Sequence, residues 1–417
     1  MKKVLVWGLG VSGKAAVNLL KEKGVEVYFG DDREKTDFRD YISLIDTVVL
    51  SPGIAPFHPL WIEAEKKGLE VIGELELAYR FFKGKVLAIT GTDGKSTTTR
   101  ITYLILKKHF GNVEEGGNMG IPLSEIALRN PESLAVLEVS SFQGRTLKTF
   151  RPVGGVFLNF AKDHLDWHLS LEDYLQSKYN IFRNQREEDF IVLYSRQEQV
   201  VQTPTKAKKY LMSSKDSHGF ISEGKAYFMG EELFDIDKLK LIGHHNYRNA
   251  LTGAMIARIL GVPTSIIRET LYEFPGLPFR LEYMGEWDGV DVYNDSKSTT
   301  VNALEAALKS MSDKRVVLIA GGRNKGGDFS SIYDLVLQKV RIAILMGEAR
   351  EEIFKAWMGA TVLERAESLE EAVKMAKHYA RKGDVILFSP GCASFDMFKD
   401  YKERGERFRE LFIPSAL

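Results

Sequence analysis

A glycine-rich loop between an apolar strand and a helix constrains this chain more than any other segment. Residues 90–97 read T-G-T-D-G-K-S-T, after an apolar run at 86–89 and before a helix-like stretch that begins at Thr98. Glycines let backbone N–H groups surround phosphate oxygens at a helix N-terminus, a lysine reaches the β- and γ-phosphates, and a serine hydroxyl suits Mg²⁺. The sequence therefore predicts a nucleoside triphosphate site. Its predicted residues are Gly91, Thr92, Asp93, Gly94, Lys95, Ser96 and Thr97.

The loop differs from that of ordinary P-loop NTPases. In the pattern G-x-x-x-x-G-K-[ST] the first glycine would fall at position 89, which is Ile. The sequence has the shorter form G-T-x-G-K-S-T instead. An ordinary P-loop NTPase is therefore not what this spacing predicts.

Composition excludes several classes of function. The 417 residues, 44% of them hydrophobic, include 57 basic and 57 acidic side chains, so no charge excess favours nucleic acid. The single cysteine, Cys392, excludes an internal disulfide and agrees with a reducing compartment. No signal-peptide core or membrane-length apolar run is apparent. We expect a cytoplasmic monomer that binds neither nucleic acid nor membrane.

The order of apolar and amphipathic segments predicts an α/β fold with three domains in series. Apolar runs at 4–7, 25–29 and 47–50 alternate with amphipathic stretches, which is the rhythm of a parallel sheet. A second such unit carries the phosphate loop, and the P-G-L-P segment at 275–278 separates it from a third. The predicted domains are Rossmann-like 1–74, a central P-loop-type ATPase domain 75–275, and Rossmann-like 276–417.

The first turn raises an alternative function. Residues 8–13 read G-L-G-V-S-G, the dinucleotide fingerprint, and Asp31 or Asp32 follows about 20 residues later, where an acid that binds ribose would lie. Alone, this pattern predicts NAD and a dehydrogenase, which leaves the phosphate loop unexplained. A nucleotide-binding module without catalysis is a further alternative.

Seven more segments resemble the Mur ligase family, most closely its D-glutamate-adding branch. They lie in the family's order at residues 116–120, 137–143, 163–166, 245–249, 276–280, 294–297 and 389–394. The resemblance implies ATP-dependent addition of D-glutamate to UDP-N-acetylmuramoyl-L-alanine through an acyl phosphate, in peptidoglycan precursor synthesis. The Asp-Asn-Pro-Arg motif of diaminopimelate- and lysine-adding relatives is absent, which favours D-glutamate. Another Mur-type or folylpolyglutamate-type ligase is the alternative within the superfamily.

The resemblance also implies a catalytic set and its cofactors. Ser96 and Glu138 would bind a first Mg²⁺, as oxygen ligands suit hard cations, and His164 would lie near a second. Lys178 matches the family lysine that reacts with CO₂ to form a carbamate, whose oxygens hold the metal-bridging group. The implied catalytic residues are Lys95, Glu138, His164 and Lys178, and the implied metal ligands are Ser96, Glu138, His164 and Lys178.

Three further groups of substrate contacts follow from the same resemblance. For the rest of ATP they are Asn246 and Asn249 at adenine, Arg280 at the phosphates and Asp295 at the ribose. For the UDP-precursor they are Leu9, Gly10, Val11, Ser12, Arg33, Gly53, Asn118 and His164. For D-glutamate they are Lys297, Thr299, Lys325, Ser394, Phe395 and Tyr401, which would make the third domain an amino-acid-binding lid.

Two acids depart from the family pattern. Asp93 replaces the asparagine usual in the phosphate loop, and Asp32 stands where a hydroxyl residue is common. A carboxylate beside a triphosphate repels it unless Mg²⁺ or Lys95 compensates the charge.

Overall fold

The computed structural model describes residues 1–34, 36–311 and 315–412, along which three β-sheets follow one another. The chain forms two compact units. The first contains Met1–Asp237 and Arg248–Leu271, and the second contains Lys238–Tyr247 and Tyr272–Leu417. Within the described residues, no helix has both the length and the apolar character needed to cross a membrane.

The first sheet has four parallel strands in the order β2-β1-β3-β4. Its strands are nearly continuous apolar runs, as parallel strands must be when helices cover both faces. The strands are β1 (Lys3–Trp7), β2 (Glu26–Gly30), β3 (Thr47–Leu50) and β4 (Glu70–Gly73), and the helices are α1 (Val11–Glu22), α2 (Pro59–Lys66) and α3 (Glu74–Phe81).

The second sheet has nine strands in the order β13-β12-β11-β10-β9-β8-β5-β7-β6. The strands are β5 (Lys85–Thr90), β6 (Val113–Gly117), β7 (Leu134–Glu138), β8 (Gly154–Phe157), β9 (Phe190–Tyr194), β10 (Lys208–Ser213), β11 (Gly219–Ser222), β12 (Lys225–Phe228) and β13 (Glu231–Asp235). The helices are α4 (Lys95–Phe110), α5 (Leu123–Arg129), α6 (Ser141–Arg145), α7 (Leu171–Tyr179), α8 (Glu198–Val201), α9 (His244–Ile259) and α10 (Thr264–Glu273).

Strand β5 lies between β7 and β8 and is parallel to both. The carboxyl ends of these three strands therefore meet at one edge of the sheet, where open α/β sheets bind their ligands. The phosphate loop follows β5, Glu138 ends β7, and Asn159 lies two residues after β8. The topology gathers these groups at one place.

A buried carboxylate joins the first and second sheets within the first unit. Glu76 on α3 is fully buried and accepts hydrogen bonds from the backbone N–H groups of Lys148, Thr149 and Phe150 at 2.9–3.1 Å. The Thr149 hydroxyl and the Arg80 Nε also donate to it, at 2.7 and 3.0 Å. Because a buried charge is tolerated only when its hydrogen bonds are satisfied, this arrangement fixes α3 against the segment after α6.

The third sheet has six strands in the order β14-β15-β19-β16-β17-β18, parallel except for β14 with β15. Successive residues of β16 pack into two different cores, one on each face. The strands are β14 (Glu282–Trp287), β15 (Val290–Asn294), β16 (Val316–Gly321), β17 (Val340–Met346), β18 (Val362–Arg365) and β19 (Val385–Phe388). The helices are α11 (Val301–Ser310), α12 (Tyr333–Lys339), α13 (Arg350–Ala356), α14 (Leu369–Tyr379) and α15 (Tyr401–Phe412).

The predicted α/β class is confirmed, and one sheet lies within each of the three predicted ranges. The segment at 275–278 contains neither helix nor strand, as its prolines and glycine predicted. The domain boundaries at 74 and 275 stay a prediction.

Candidate active site

Asn159 lies outside the phosphate loop and forms three hydrogen bonds with its backbone. The Asn159 Oδ1 accepts hydrogen bonds from the backbone N–H groups of Thr92 and Asp93, at 3.1 and 2.8 Å, and its Nδ2 donates to the Asp93 carbonyl at 3.0 Å. Gly94, with φ of 83°, makes the turn into α4. These contacts fix the loop backbone at Thr92, Asp93 and Gly94.

Lys95 folds back onto its own loop. Its Nζ donates hydrogen bonds to the carbonyls of Gly91, at 3.0 Å, and Thr92, at 2.7 Å. To reach a β- or γ-phosphate as predicted, the ammonium group must exchange these carbonyls for phosphate oxygens. The exchange is favourable because a charged acceptor makes a stronger hydrogen bond than a carbonyl.

Ser96 and Glu138, the predicted ligands of the first Mg²⁺, lie together. The Ser96 hydroxyl donates to Glu138 Oε2 at 2.6 Å, and the Asn118 Nδ2 donates to Glu138 Oε1 at 2.8 Å. Glu138 is buried at the end of β7, so these bonds fix its orientation. A hydroxyl and a carboxylate suit Mg²⁺, which keeps waters and substrate phosphates as its other ligands.

Lys178 is buried beneath the loop. Its side chain is 1% exposed, and its Nζ donates to the Gly91 carbonyl at 2.8 Å and to the Thr90 hydroxyl at 3.4 Å. Burial holds the pKa of the Lys178 ammonium well below its ordinary value, and the charge of Lys95 lowers it further. The site therefore disfavours the charged ammonium relative to the neutral amine.

His164 has an uncommon backbone conformation and a partly exposed side chain. It is half exposed, has a φ of 52°, and pairs with Asp163 at 3.3 Å, with its ring against Phe142 at 4.8 Å. Over residues 1–34, 36–311 and 315–412, no group of three or more His, Cys, Asp and Glu side chains is arranged to hold a metal ion.

The G-L-G-V-S-G turn has the close packing of a nucleotide-binding loop. A Cβ added at Gly13 would lie 1.8 Å from the Gly8 carbonyl oxygen, so only glycine fits there. A Cβ added at Gly10 or at Gly53 would meet no atom within 4 Å. Val11 is exposed and Ser12 is half-buried at the start of α1. Open space over Gly10 leaves room for a pyrophosphate.

The two acids after β2 already have protein partners. Asp31 accepts from the Leu9 N–H at 2.6 Å and from Arg33 Nε and Nη2 at 2.7 and 2.6 Å, bonds that hold its pKa well below the ordinary value. Asp32 accepts from the Trp7 Nε1 at 2.8 Å and lies 3.1 Å from the His58 Nε2. This engagement argues against the NAD alternative, in which one acid takes the ribose hydroxyls.

The second unit places a buried acid beside a group of cations. Asp295 accepts from the Ser389 hydroxyl at 2.8 Å and the Leu281 N–H at 3.1 Å, and burial raises its pKa to about 7. Lys297 lies with its Nζ 4.0 Å from the centre of the Tyr401 ring. Burial lowers the Lys297 pKa, and the charges of three neighbouring cations lower it further. These cations are Arg280, Lys325 and Lys402.

The other residues predicted for D-glutamate differ in exposure. Ser394 is buried and its carbonyl accepts from the N–H groups of Met397 and Phe398. Phe395 is 60% exposed, and Thr299 is half-buried. The cations and these groups lie in one unit, which suits a ligand that carries two carboxylates.

Two family models match this chain. The Mur ligase middle domain matches residues 89–257, and the Mur ligase, glutamate ligase domain matches residues 279–392. The UDP-N-acetylmuramoylalanine--D-glutamate ligase of Aquifex aeolicus is 56% identical over 98% of both chains. The chain belongs to the Mur ligase family. Enzymes of the same name from a Hydrogenobaculum species and from Koribacter versatilis are 51% and 38% identical to this Mur ligase, over 98% of its chain and 98% and 97% of theirs.

Solved structures of other Mur ligases share the fold of this Mur ligase. UDP-N-acetylmuramate-alanine ligase MurC from Thermotoga maritima is 20% identical, with a TM-score of 0.62 over 98% of both chains. The MurF ligase from Thermotoga maritima in complex with ADP is 19% identical, with a TM-score of 0.59 over 89% of this chain and 95% of its own. The predicted family, and with it an ATP-dependent amide ligase that uses Mg²⁺, is confirmed.

The predicted adenine pair of this Mur ligase is divided between the two units. Asn249 belongs to the first, where a Cβ added at Gly94 would lie 2.5 Å from its Oδ1. Asn246 belongs to the second, where its Nδ2 donates to the Ile242 carbonyl at 2.9 Å. Asn249 thus packs on the phosphate loop, and the contact of both residues with adenine stays a prediction.

Sequence analysis missed two residues that support the loop of this Mur ligase. Asn159 makes the three loop bonds described above, and the Tyr174 hydroxyl lies 3.1 Å from that of Thr92. Asn159 had a detectable signal, because it follows a strand that neighbours β5. Tyr174 had none, since its contact depends on how α7 packs.

Proposed function

We propose that this enzyme adds D-glutamate to UDP-N-acetylmuramoyl-L-alanine, converts ATP to ADP and phosphate, and so acts in peptidoglycan precursor synthesis. The observation that carries the proposal is the 56% identity, over 98% of both chains, to a relative named for that reaction. The geometry supports it with a phosphate loop whose backbone is bonded to Asn159 in the first unit and a group of cations in the second.

The reaction requires a leaving group on a carboxylate. The carboxylate of the L-alanyl residue attacks the γ-phosphorus of ATP, ADP departs, and an acyl phosphate forms. The amine of D-glutamate then attacks the carbonyl carbon, loses a proton and displaces phosphate. Both steps gather negative charge, so catalysis depends on groups that are oriented toward that charge in advance.

We assign the first of these groups to the edge of the second sheet. Ser96 and Glu138 would hold Mg²⁺, which neutralises phosphate charge when it is bound. Asn118 keeps Glu138 in place through its 2.8 Å hydrogen bond. Lys95 would leave the loop carbonyls for the β- and γ-phosphates, and loop N–H groups would surround the phosphate oxygens.

We further propose that Lys178 works as a carbamate. Its neutral amine attacks CO₂, a C–N bond forms, and one proton leaves to solvent, so the side chain gains a negative charge. The remaining N–H can keep its bond to the Gly91 carbonyl, now 2.8 Å long. The ammonium of Lys95, which disfavours a charged Lys178, then favours the carbamate.

We assign the G-L-G-V-S-G turn, with Leu9, Gly10, Val11 and Ser12, to the pyrophosphate of the UDP-precursor, and Arg33 and Gly53 to the same nucleotide. We also propose a cytoplasmic monomer. ATP as a substrate and the free, buried Cys392 support the location.

A phosphate-release assay tests the function. With ATP, Mg²⁺ and UDP-N-acetylmuramoyl-L-alanine, we expect phosphate release with D-glutamate and none above background with L-alanine, L-lysine or meso-diaminopimelate. Release with another amino acid instead would favour a different ligase of the superfamily. ATP binding with no ADP formed would favour the module without catalysis, and micromolar NADH binding that Gly10→Val abolishes would favour the dehydrogenase.

A further inference from the structure

A buried chain of polar side chains lies next to the proposed catalytic groups and has no part in the proposed chemistry. The Ser141 Oγ lies 2.9 Å from His168 Nε2, and His168 Nδ1 lies 3.0 Å from Asp173 Oδ2. Asp173 also forms an ion pair with Arg145. Ser141 and the His168 ring are buried, so no substrate reaches them.

The hydrogen-bond directions in this chain follow from the partners. Asp173 is a carboxylate and only accepts, so the proton of His168 is on Nδ1. The Nε2 then accepts from the Ser141 hydroxyl. Burial lowers the pKa of His168 to about 4, in agreement with a neutral ring. The pattern resembles a Ser-His-Asp triad, but the buried serine cannot act as a nucleophile.

The chain connects three segments that carry proposed catalytic residues. Ser141 begins α6, three residues after Glu138. The backbone N–H of His168 donates a hydrogen bond to the backbone carbonyl of His164 at 3.0 Å, and this bond closes the turn on which His164 lies. Asp173 lies on α7, whose buried face includes Lys178. Among these hydrogen-bonded side chains, the His168 imidazole is the one that connects all three segments, because it lies on the 164–168 turn and bonds to both Ser141 and Asp173.

We propose that His168 is a positioning residue, which holds the 164–168 turn and helix α7 in register with the end of β7 through Ser141 and Asp173. The expected effect on turnover rests on the proposed function. The expected effect on the rigidity of α7 does not depend on that function. Partners that orient ligands of a metal or catalytic site commonly change activity about 10- to 100-fold when removed.

Packing alone is the competing explanation. The His168 ring lies 4.7–5.6 Å from the rings of Phe142, Trp167 and Tyr174, so it also fills a core. His168→Ala would therefore remove packing together with hydrogen bonds and could fail to fold. Ser141→Ala leaves the ring and its packing in place and removes only the hydroxyl. It is the primary test.

Ser133→Ala is the matched control. Ser133 is fully buried in the same unit, and its hydroxyl makes one hydrogen bond, 2.9 Å to the Asn130 carbonyl. Both variants lose one buried hydrogen bond, which costs on the order of 1 kcal/mol of folding free energy. A difference between them in kcat therefore reports position rather than stability.

We expect Ser141→Ala to lower kcat about tenfold with the KM for D-glutamate unchanged within about twofold, and Ser133→Ala to change neither. Amide hydrogen exchange in residues 171–179 should accelerate in Ser141→Ala and stay at the wild-type rate in Ser133→Ala. His168→Asn, whose Nδ2 can still donate to Asp173, should recover part of the activity that His168→Ala loses.

Equal kcat in the two serine variants, with equal exchange in α7, would overturn the proposal. The two possible failures are separable. A wild-type enzyme without phosphate release on D-glutamate contradicts the proposed function, and exchange in α7 then decides the positioning role by itself.

Discussion

Each unit has a lysine with a lowered pKa, and the surroundings of the two lysines differ. Lys178 is enclosed and bonds to a loop carbonyl, and the charges around it have both signs, Lys95 on one side and acids such as Glu138 on the other. Lys297 is only half-buried and lies on the face of Tyr401. All the charged neighbours that act on the Lys297 pKa within the described residues are cations.

This difference indicates that the two sites require negative charge from different sources. Burial and Lys95 disfavour an ammonium at Lys178. A carbamate there would be favoured only with the help of bound Mg²⁺, because the nearby acids Asp163, Glu138 and Asp93 oppose a negative charge. The Lys297 site has unbalanced positive charge, and the ligand must supply the anion. A modified side chain is the expected outcome in the first unit and a bound dicarboxylate in the second.

The largest effect that we expect is from Lys178→Ala. Loss of the proposed carbamate should lower kcat about 10³-fold, the scale of one preorganised charged group, and added short carboxylic acids should restore part of it. Phosphate release measured with and without acetate checks this. Lys297→Ala should not respond to acetate in this way.

A fold control separates chemistry from stability in that experiment. Lys178→Met keeps the length of the side chain without a buried amine, so it should fold at least as stably as the wild type while staying inactive. Full activity in Lys178→Ala without any added acid would contradict the proposed carbamate. It would also contradict the contrast drawn here between Lys178 and Lys297.

A second test asks whether the Asp295 side chain is ionised and so neutralises part of the positive charge around Lys297. Its pKa of about 7 is above the ordinary value of 3.8, so the folded state is favoured at low pH and loses this contribution as pH rises from about 4 to 7. The difference corresponds to at most about 4 kcal/mol. Denaturant titrations at pH 5 and 8 should show a smaller pH dependence in Asp295→Asn. The same dependence in both proteins would mean that Asp295 is ionised throughout.

A third test concerns the anion that the second unit needs. Lys325→Ala should raise the KM for D-glutamate about tenfold, because one charge-assisted hydrogen bond is lost, and should change the KM for ATP much less. Steady-state kinetics with each substrate varied provide the measurement. Lys399→Ala, an exposed lysine outside the predicted set, is the control. An equal rise in both KM values would remove Lys325 from the pocket.

The smallest effect is expected at Asp93. Its backbone is held by Asn159, whereas its side chain is exposed, so Asp93→Asn should preserve the loop and remove only a repulsion. ATP affinity should be unchanged or improve by about threefold or less. A loss as severe as that of Lys95→Ala would instead make Asp93 a working catalytic group.

Sequence analysis predicted well where chemistry and local pattern coincide. The strand, loop and helix of the phosphate site occur in the predicted order, although the helix begins at Lys95 rather than at Thr98, and Ser96 and Glu138, 42 residues apart, meet at 2.6 Å. The family pattern also indicated Lys178, whose burial no local pattern could predict.

The rest depends on contacts between distant segments. Strands β10 to β13 are only four to six residues long and mix polar with apolar side chains at the edge of the second sheet, so no clear pattern in their sequence predicts strands. The Ser141–His168–Asp173 chain forms only after α6 and α7 pack. His168 and Asp173 therefore looked like ordinary polar residues beside the more conspicuous His164.

The bonds of Glu76 have a consequence for anyone who recombines these enzymes. A cut near residue 74 leaves Glu76 on the same piece as its partners, whereas a cut after α3 would separate this carboxylate from the backbone N–H groups of Lys148, Thr149 and Phe150. An unpaired charge would be left inside the resulting chimera. Helix α3 should consequently be exchanged between relatives together with the second sheet.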